Sequence, residues 1–168
     1  MESRLQTFVE VVRLHEDNEV PFHLLLLADE TVTAICKYLH LSDVFVARDV
    51  SSEQVVGAFV LHKLNDEEIE IKNIAVAENF QGQGIGGFLM DTIKQIAREQ
   101  GVRILWVGTP DSAARQLNFY RKNGFGIAGM RKNFYRENYP EPIYENGIVL
   151  SDMVMLRFSL MTGNLDKQ

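Results

Sequence analysis

The chain has a single cysteine, Cys36, among its 168 residues. One thiol cannot build an intrachain disulfide framework or a cysteine-rich metal site, and such sparing use suits a reducing, cytoplasmic location. The four histidines, His15, His23, His40 and His62, are scattered without ligand spacing, so no metal is expected. No apolar run approaches the length of a membrane span; Leu24–Ala28 is the longest notable patch, and Met1–Glu19 lacks the apolar core of a signal peptide. There is no repeat, low-complexity tract or linker. Basic residues are in deficit, 17 Lys+Arg against 23 Asp+Glu, for a net charge of −6. That argues against nucleic acid as a partner and leans toward a cationic small substrate. The length suits one domain with a full core, expected over 1–161, with 162–168 as a frayed tail.

What is present reads as alternating elements. Phe8–Leu14 alternates as a strand. Pro21 opens a helical stretch that runs to Tyr38 with a break near Asp29. Val44–Asp49 and Val55–Leu64 form a hairpin about the turn Asp49–Glu53. Glu68–Val76 is a strand with a phase slip: Ile69 and Ile71 share one face, whereas Ile74 and Val76 are out of step with them. Such a slip marks a β-bulge near Lys72 and Asn73, although a strand buried on both faces gives a similar pattern. A helical stripe follows from Ile85 to Ala97 and stops at Gly101. Arg103–Thr109 is a strand, with Trp106 in the core, and Asp111 or Ser112 caps the next helix. Leu117 and Tyr120 mark that helix's inner face, and Gly124 ends it with Phe125 folding back. Gly126–Lys132 is a strand, an aromatic segment spans Asn133–Gly147, and Asp152–Leu160 is the last strand. The order describes a mixed sheet flanked by helices.

The loop Gln81–Gly87 reads QGQGIGG. Glycines at 82, 84, 86 and 87 let the chain turn tightly and bring N–H groups close to a ligand; at a helix start those groups bind phosphate. Gly82, Gly84 and Gly87 also fit the dinucleotide pattern G-x-G-x-x-G. Three facts oppose that reading: AENF separates the strand from the glycines, no acidic residue stands about twenty positions on, and the motif sits mid-chain after antiparallel strands. No G-K-[ST] ending exists for a triphosphate P-loop. A glycine-rich turn without a ligand is the plainer alternative.

Gln81-x-x-Gly84-x-Gly86 after a bulged strand resembles the acetyl-coenzyme A signature of the GNAT superfamily of N-acetyltransferases. LNFYRKNGFGI, Leu117–Ile127, resembles that family's second motif, and together they cover about Glu68 to Ile127. The resemblance implies an α/β (α+β) fold: a mixed, mostly antiparallel central sheet of six to seven strands, a bulged and splayed central strand, and helices on both faces. It implies acetyl-coenzyme A as co-substrate and an amine of a small molecule or peptide as acceptor. Main-chain groups of Ile74, Ala75 and Val76 would pair with the pantetheine arm, and an N–H near Ile74 would polarise the thioester. The pyrophosphate would lie on the N–H groups of Gln81, Gly82, Gln83, Gly84, Ile85, Gly86 and Gly87. Tyr120 would protonate the departing thiolate and Glu70 would act as general base, directly or through water. The bland readings are a half-buried helix aromatic for Tyr120 and a solvated strand glutamate for Glu70.

One position departs from the family pattern. Where many members carry an asparagine early in the tyrosine helix, this chain has Ala113; Ser112, Asp111 or Asn118 would substitute. Cys36 reads as a small packed residue rather than a nucleophile, which favours direct attack in a ternary complex. The aromatic segment either walls the acceptor site with Pro21–Tyr38, packs a homodimer interface, or anchors a loop. Two readings from other classes stand beside the enzyme: a non-catalytic acyl-coenzyme A binding or sensing module, and a nicotinamide-dependent oxidoreductase.

Overall fold

A computed structural model describes residues 8–160. The expected tail, 162–168, lies outside the described residues. The chain enters on β1 (Val9–Arg13), then forms a short helix α1 (Phe22–Leu25) behind Pro21, and α2 (Val32–Leu39). Between them the helical stretch breaks as expected, and the Thr31 side chain accepts from the Ala34 N–H at 3.1 Å to start α2. The hairpin β2 (Asp43–Asp49) and β3 (Val55–Lys63) turns on Asp49, whose carboxylate accepts from the N–H groups of Ser51 and Ser52, each at 2.9 Å.

β4 (Glu68–Val76) leads through a 3₁₀ turn, Glu78–Phe80, to α3 (Ile85–Glu99). Gly101, at φ +73, ends that helix and the chain returns as β5 (Ile104–Pro110). Then come α4 (Ala114–Lys122), β6 (Gly126–Arg131), α5 (Phe134–Asn138), a small hairpin β7 (Tyr144–Glu145) and β8 (Ile148–Val149), and β9 (Met153–Ser159).

Seven strands make one sheet in the order β1-β2-β3-β4-β5-β9-β6. Only β4 and β5 run parallel; the other neighbours are antiparallel. The last strand inserts between β5 and β6, which leaves β6 as an exposed edge. The sheet is covered on both sides, and each side has its own apolar cluster. Leu89, Met90 and Ile93 of α3 bury fully against Phe59, Ile71 and Leu105. On the other side Leu25 of α1 and Ile35 of α2 cover Val46, Ala58 and Val60. Burial on two faces explains why β3 reads as an unbroken apolar run.

Three expectations need correcting. Trp106 is not core: it lies half-buried and its Nε1–H donates to Glu68 Oε1 at 3.0 Å, because an indole N–H needs a partner and the β5 face it shares is polar at that end. Cys36 is exposed rather than packed, since α2 turns Ile35 and not Cys36 to the sheet. Neither Asp111 nor Ser112 caps α4; the N-cap position is Ala113 without a side-chain bond, in a tight turn in which Ala113 N–H donates to Pro110 and Ala114 N–H to Ser112. No helix among the described residues is long and apolar enough to cross a membrane, and no group of three or more His, Cys, Asp or Glu among them could hold a metal ion.

Candidate active site

The site begins with a defect in pairing. Val60 of β3 faces Asn73, but the next residue, Leu61, faces Ile71, so Lys72 is the extra residue of a bulge. The bulge resets the phase. Ile69 and Ile71 before it, and Ile74 and Val76 after it, all pack toward the α3 side, while Asn73 turns to the other face. On its other edge, β4 pairs with β5 only from Glu68↔Ile104 to Ile71↔Val107. Beyond that point β4 stays with β3 as far as Val76↔Gly57, and β5 stays with β9 as far as Pro110↔Met153. The sheet therefore forks, and the β5-facing edge of Asn73–Val76 has no strand partner. Ile74, Ala75 and Val76 lie on it. The Val76 carbonyl also accepts from Gln81 Nε2 at 3.0 Å, which ties the glycine loop to the strand end.

That loop meets the open edge. Gly82 and Gly84 have φ of +75° and +85°, a region costly for any residue with a Cβ. Gly84 is the N-cap of α3 and no side chain caps this end, so the first-turn N–H groups of Ile85, Gly86 and Gly87 remain for a ligand. The glycines differ in role. A Cβ on Gly86 would come within 3.3 Å of Phe119 on α4, so its bareness serves packing between the helices; one on Gly87 would meet no atom within 4 Å. The Gln83 side chain folds back toward the Asn79 carbonyl at 3.4 Å.

Tyr120 is fixed by the end of its own helix. Gly124, at φ +91, donates to the Arg121 carbonyl and Phe125 to the Tyr120 carbonyl, both at 3.0 Å, which is a Schellman motif. The motif folds Phe125 onto the Tyr120 ring at 5.9 Å between centroids, and Lys94 from α3 donates to the Asn123 carbonyl at 2.6 Å. Burial alone raises the Tyr120 pKa, and among the described residues no side-chain hydrogen bond holds its hydroxyl. Tyr120 lines a cavity of about 350 Å³ at the fork, together with Ile74, Thr109 and Asn73.

Glu70 is 5 % exposed, not a solvated strand residue, and its Oε2 pairs with Lys72 Nζ at 3.0 Å. It lines a neighbouring cavity of about 370 Å³. The two cavities share Asp29, Lys72 and Tyr139 as walls, so the fold brings Tyr120 and Glu70 to adjoining spaces. Asn118, in contrast, is exposed on α4 and is not among the residues lining the Tyr120 cavity; Gln116 is.

The aromatic segment walls the cleft with the α1–α2 region. Tyr139 and Tyr38 donate to the two oxygens of Asp29 at 2.8 and 3.1 Å, and Lys37 donates to the Asn138 carbonyl at 3.2 Å. The sequence reading missed Asp29 as a hub, since its partner Tyr139 is 110 positions away. It also missed the hairpin β7–β8, for which a signal exists: Asn146-Gly147, with φ of +50 and +77, is the dipeptide favoured in tight hairpin turns.

The sequence model of the acetyltransferase (GNAT) family matches residues 9–125. The chain belongs to the GNAT family of acetyltransferases. Similar GNAT proteins span nearly its whole length. The uncharacterized N-acetyltransferase YvbK of Bacillus subtilis (strain 168) is 35% identical over 86% of this chain and 92% of its own. A GNAT family acetyltransferase from Elizabethkingia anophelis, solved with acetyl-CoA bound, is 41% identical with a TM-score of 0.85, covering 90% of this chain and 98% of that one. An acetyltransferase of Bacillus subtilis in complex with CoA is 33% identical with a TM-score of 0.81, covering 91% and 99%. The mixed seven-stranded sheet with helices is thus a GNAT fold.

Proposed function

We propose that this GNAT protein moves the acetyl group of acetyl-coenzyme A to the amine of a small molecule or peptide by direct attack in a ternary complex. The observation that carries this reading is the fork: the unpaired strand edge lines the buried tyrosine's cavity at Ile74 and is tied at Val76 to the glycine loop that opens α3 without a side-chain cap. An extended pantetheine arm suits the free edge of Ile74–Val76 as an added strand would. The N–H groups from Gln81 to Gly87 suit a pyrophosphate, and the missing Cβ at Gly87 leaves room for its approach. Acetyl-coenzyme A supplies an activated thioester. Glu70, directly or through water, takes a proton from the acceptor ammonium so that its nitrogen attacks. A main-chain N–H near Ile74 stabilises the oxyanion, and Tyr120 gives its proton to the departing sulfur. The only cysteine, Cys36, stands on α2 and outside the fork, which favours attack without a covalent acetyl-enzyme.

Calorimetric titration with acetyl-coenzyme A, with NAD as the control, followed by a thiol-release assay over a panel of amines, tests the reading. Binding of acetyl-coenzyme A alone with release that depends on an amine is expected. Binding without release for any amine supports a sensing module instead; binding of NAD in its place supports the oxidoreductase.

A further inference from the structure

Acetylation of an ammonium must release a proton: an ammonium and a thioester become an amide, a thiol and a proton. In the proposed reaction Glu70 takes that proton first, yet Glu70 is 5 % exposed and its Oε2 is held by Lys72 Nζ at 3.0 Å. A second group must carry the proton on to solvent and reset the base for the next turnover.

The strand register places such a group. His62 of β3 is the cross-strand partner of Glu70 on β4. Their neighbours Leu61 and Ile71 pack into the cluster beneath α3, so His62 and Glu70 both turn to the opposite face. Side chains directly opposite on antiparallel strands have Cβ atoms about 5 Å apart. Both residues line the cavity of about 370 Å³, and His62 is only partly buried, which gives the proton a way out.

The ring is set in the right form. Its Nδ1 lies 3.0 Å from the Leu41 carbonyl. A carbonyl only accepts, so the neutral ring carries its proton on Nδ1 and keeps a lone pair on Nε2. No hydrogen bond engages Nε2 among the described residues. The other titratable groups of this cavity are less suited. Lys37, Lys72 and Arg131 are cations without a lone pair to offer. The Asp29 carboxylate is occupied by the hydroxyls of Tyr38 and Tyr139.

We infer that His62 is the proton relay of this site: Glu70 passes the acceptor's proton to His62 Nε2, directly or through water, and the imidazolium gives it to solvent. The O–H bond of the protonated Glu70 breaks as an N–H bond forms on His62, and loss of that proton restores both groups. The inference rests on the proposed acetyltransferase reading with Glu70 as base. The rival role for His62 is structural, tying the turn after α2 to β3 through the Leu41 carbonyl.

His62→Asn separates the two roles, since it keeps an N–H for the Leu41 carbonyl but takes up no proton at neutral pH. The full chain and this variant, each saturated with acetyl-coenzyme A, are compared on ethylamine and 2,2,2-trifluoroethylamine in the thiol-release assay. Ethylamine enters as an ammonium; trifluoroethylamine is already neutral, so its acetylation releases no net proton. His62→Asn should lower kcat roughly tenfold for ethylamine and less than about twofold for trifluoroethylamine, with the Kd of acetyl-coenzyme A unchanged. A loss as large for trifluoroethylamine, or none for ethylamine, overturns the inference. If wild type fails to turn over either amine, nitrogen NMR of the imidazoles decides. A proton on Nδ1 of His62 and a His62 resonance that moves in Glu70→Gln support the relay; a proton on Nε2, or a resonance indifferent to Glu70, overturns it. The acetyl-coenzyme A titration reads the underlying proposal separately, because His62 makes no part of the proposed cofactor cradle.

Discussion

Tyr120 is held by its neighbours but not by its hydroxyl. The ring lies against Phe119 and Phe125, and only burial shifts its pKa. Removing the hydroxyl therefore leaves no buried partner unsatisfied, so Tyr120→Phe should fold normally. We expect it to lower kcat by about 100-fold, the usual scale of a lost proton donor, with the Kd of acetyl-coenzyme A unchanged by calorimetry. Equal losses in binding and turnover would sink the general-acid role. Glu70 needs a control, since its carboxylate also satisfies Lys72. Glu70→Gln should depress kcat, whereas Lys72→Gln, which keeps the carboxylate and removes its cation, should retain most of it. Similar loss in both variants would assign the effect to the ion pair. The sequence suggests both residues; it could not show that Glu70 is buried, because burial depends on the strands and helices around it.

Elements carry the proposed cofactor cradle. The bulge at Lys72 and the start of α3 expose main-chain groups, so side-chain truncation leaves most of the cradle intact. Gly87→Ala isolates the cradle from the fold. An added methyl meets nothing within 4 Å, and alanine in the first helical turn gains about 0.5–1 kcal/mol over glycine. The variant should melt no lower than wild type in a thermal scan, yet bind acetyl-coenzyme A more weakly. Undiminished affinity would show that no ligand approaches the helix there. At this scale much was legible: the phase slip in β4 marks the bulge, and Gly124 with Phe125 marks the end of α4. The cap of α4 was not legible, because the turn at Pro110–Ala113 uses main-chain bonds that no residue type announces.

Across the molecule, four tyrosines, Tyr38, Tyr120, Tyr135 and Tyr139, have pKa values raised, in each case by burial first. Unfolded tyrosine ionises near pH 10, roughly. Below that pH both states hold the proton and the groups contribute no pH dependence; above it the unfolded state loses protons that the folded state retains, so stability falls as pH rises. Urea unfolding should show a midpoint unaffected by these tyrosines near neutrality and declining above about pH 10, in step with tyrosinate absorbance that, in a Tyr144→Phe background lacking the one exposed tyrosine, appears only on unfolding. Tyrosinate absorbance in that folded variant at the same pH would contradict the burial.

Local information in the sequence determined the strands, the bulge, the glycine helix start and the Schellman end of α4, since each depends on residues within a few positions of one another. The family follows from two of those local motifs. Tertiary structure decided what lies between them. It placed β9 between β5 and β6, and it gathered Asp29, Asn73, Tyr139 and Glu145 around one cavity. Those residues come from segments far apart in the chain, and a contact of that range leaves no periodicity or spacing to read. The cavity beside Tyr120, where the proposed acceptor would sit, was therefore hidden, whereas the proposed cofactor end, built from one strand–loop–helix unit, was open to inspection.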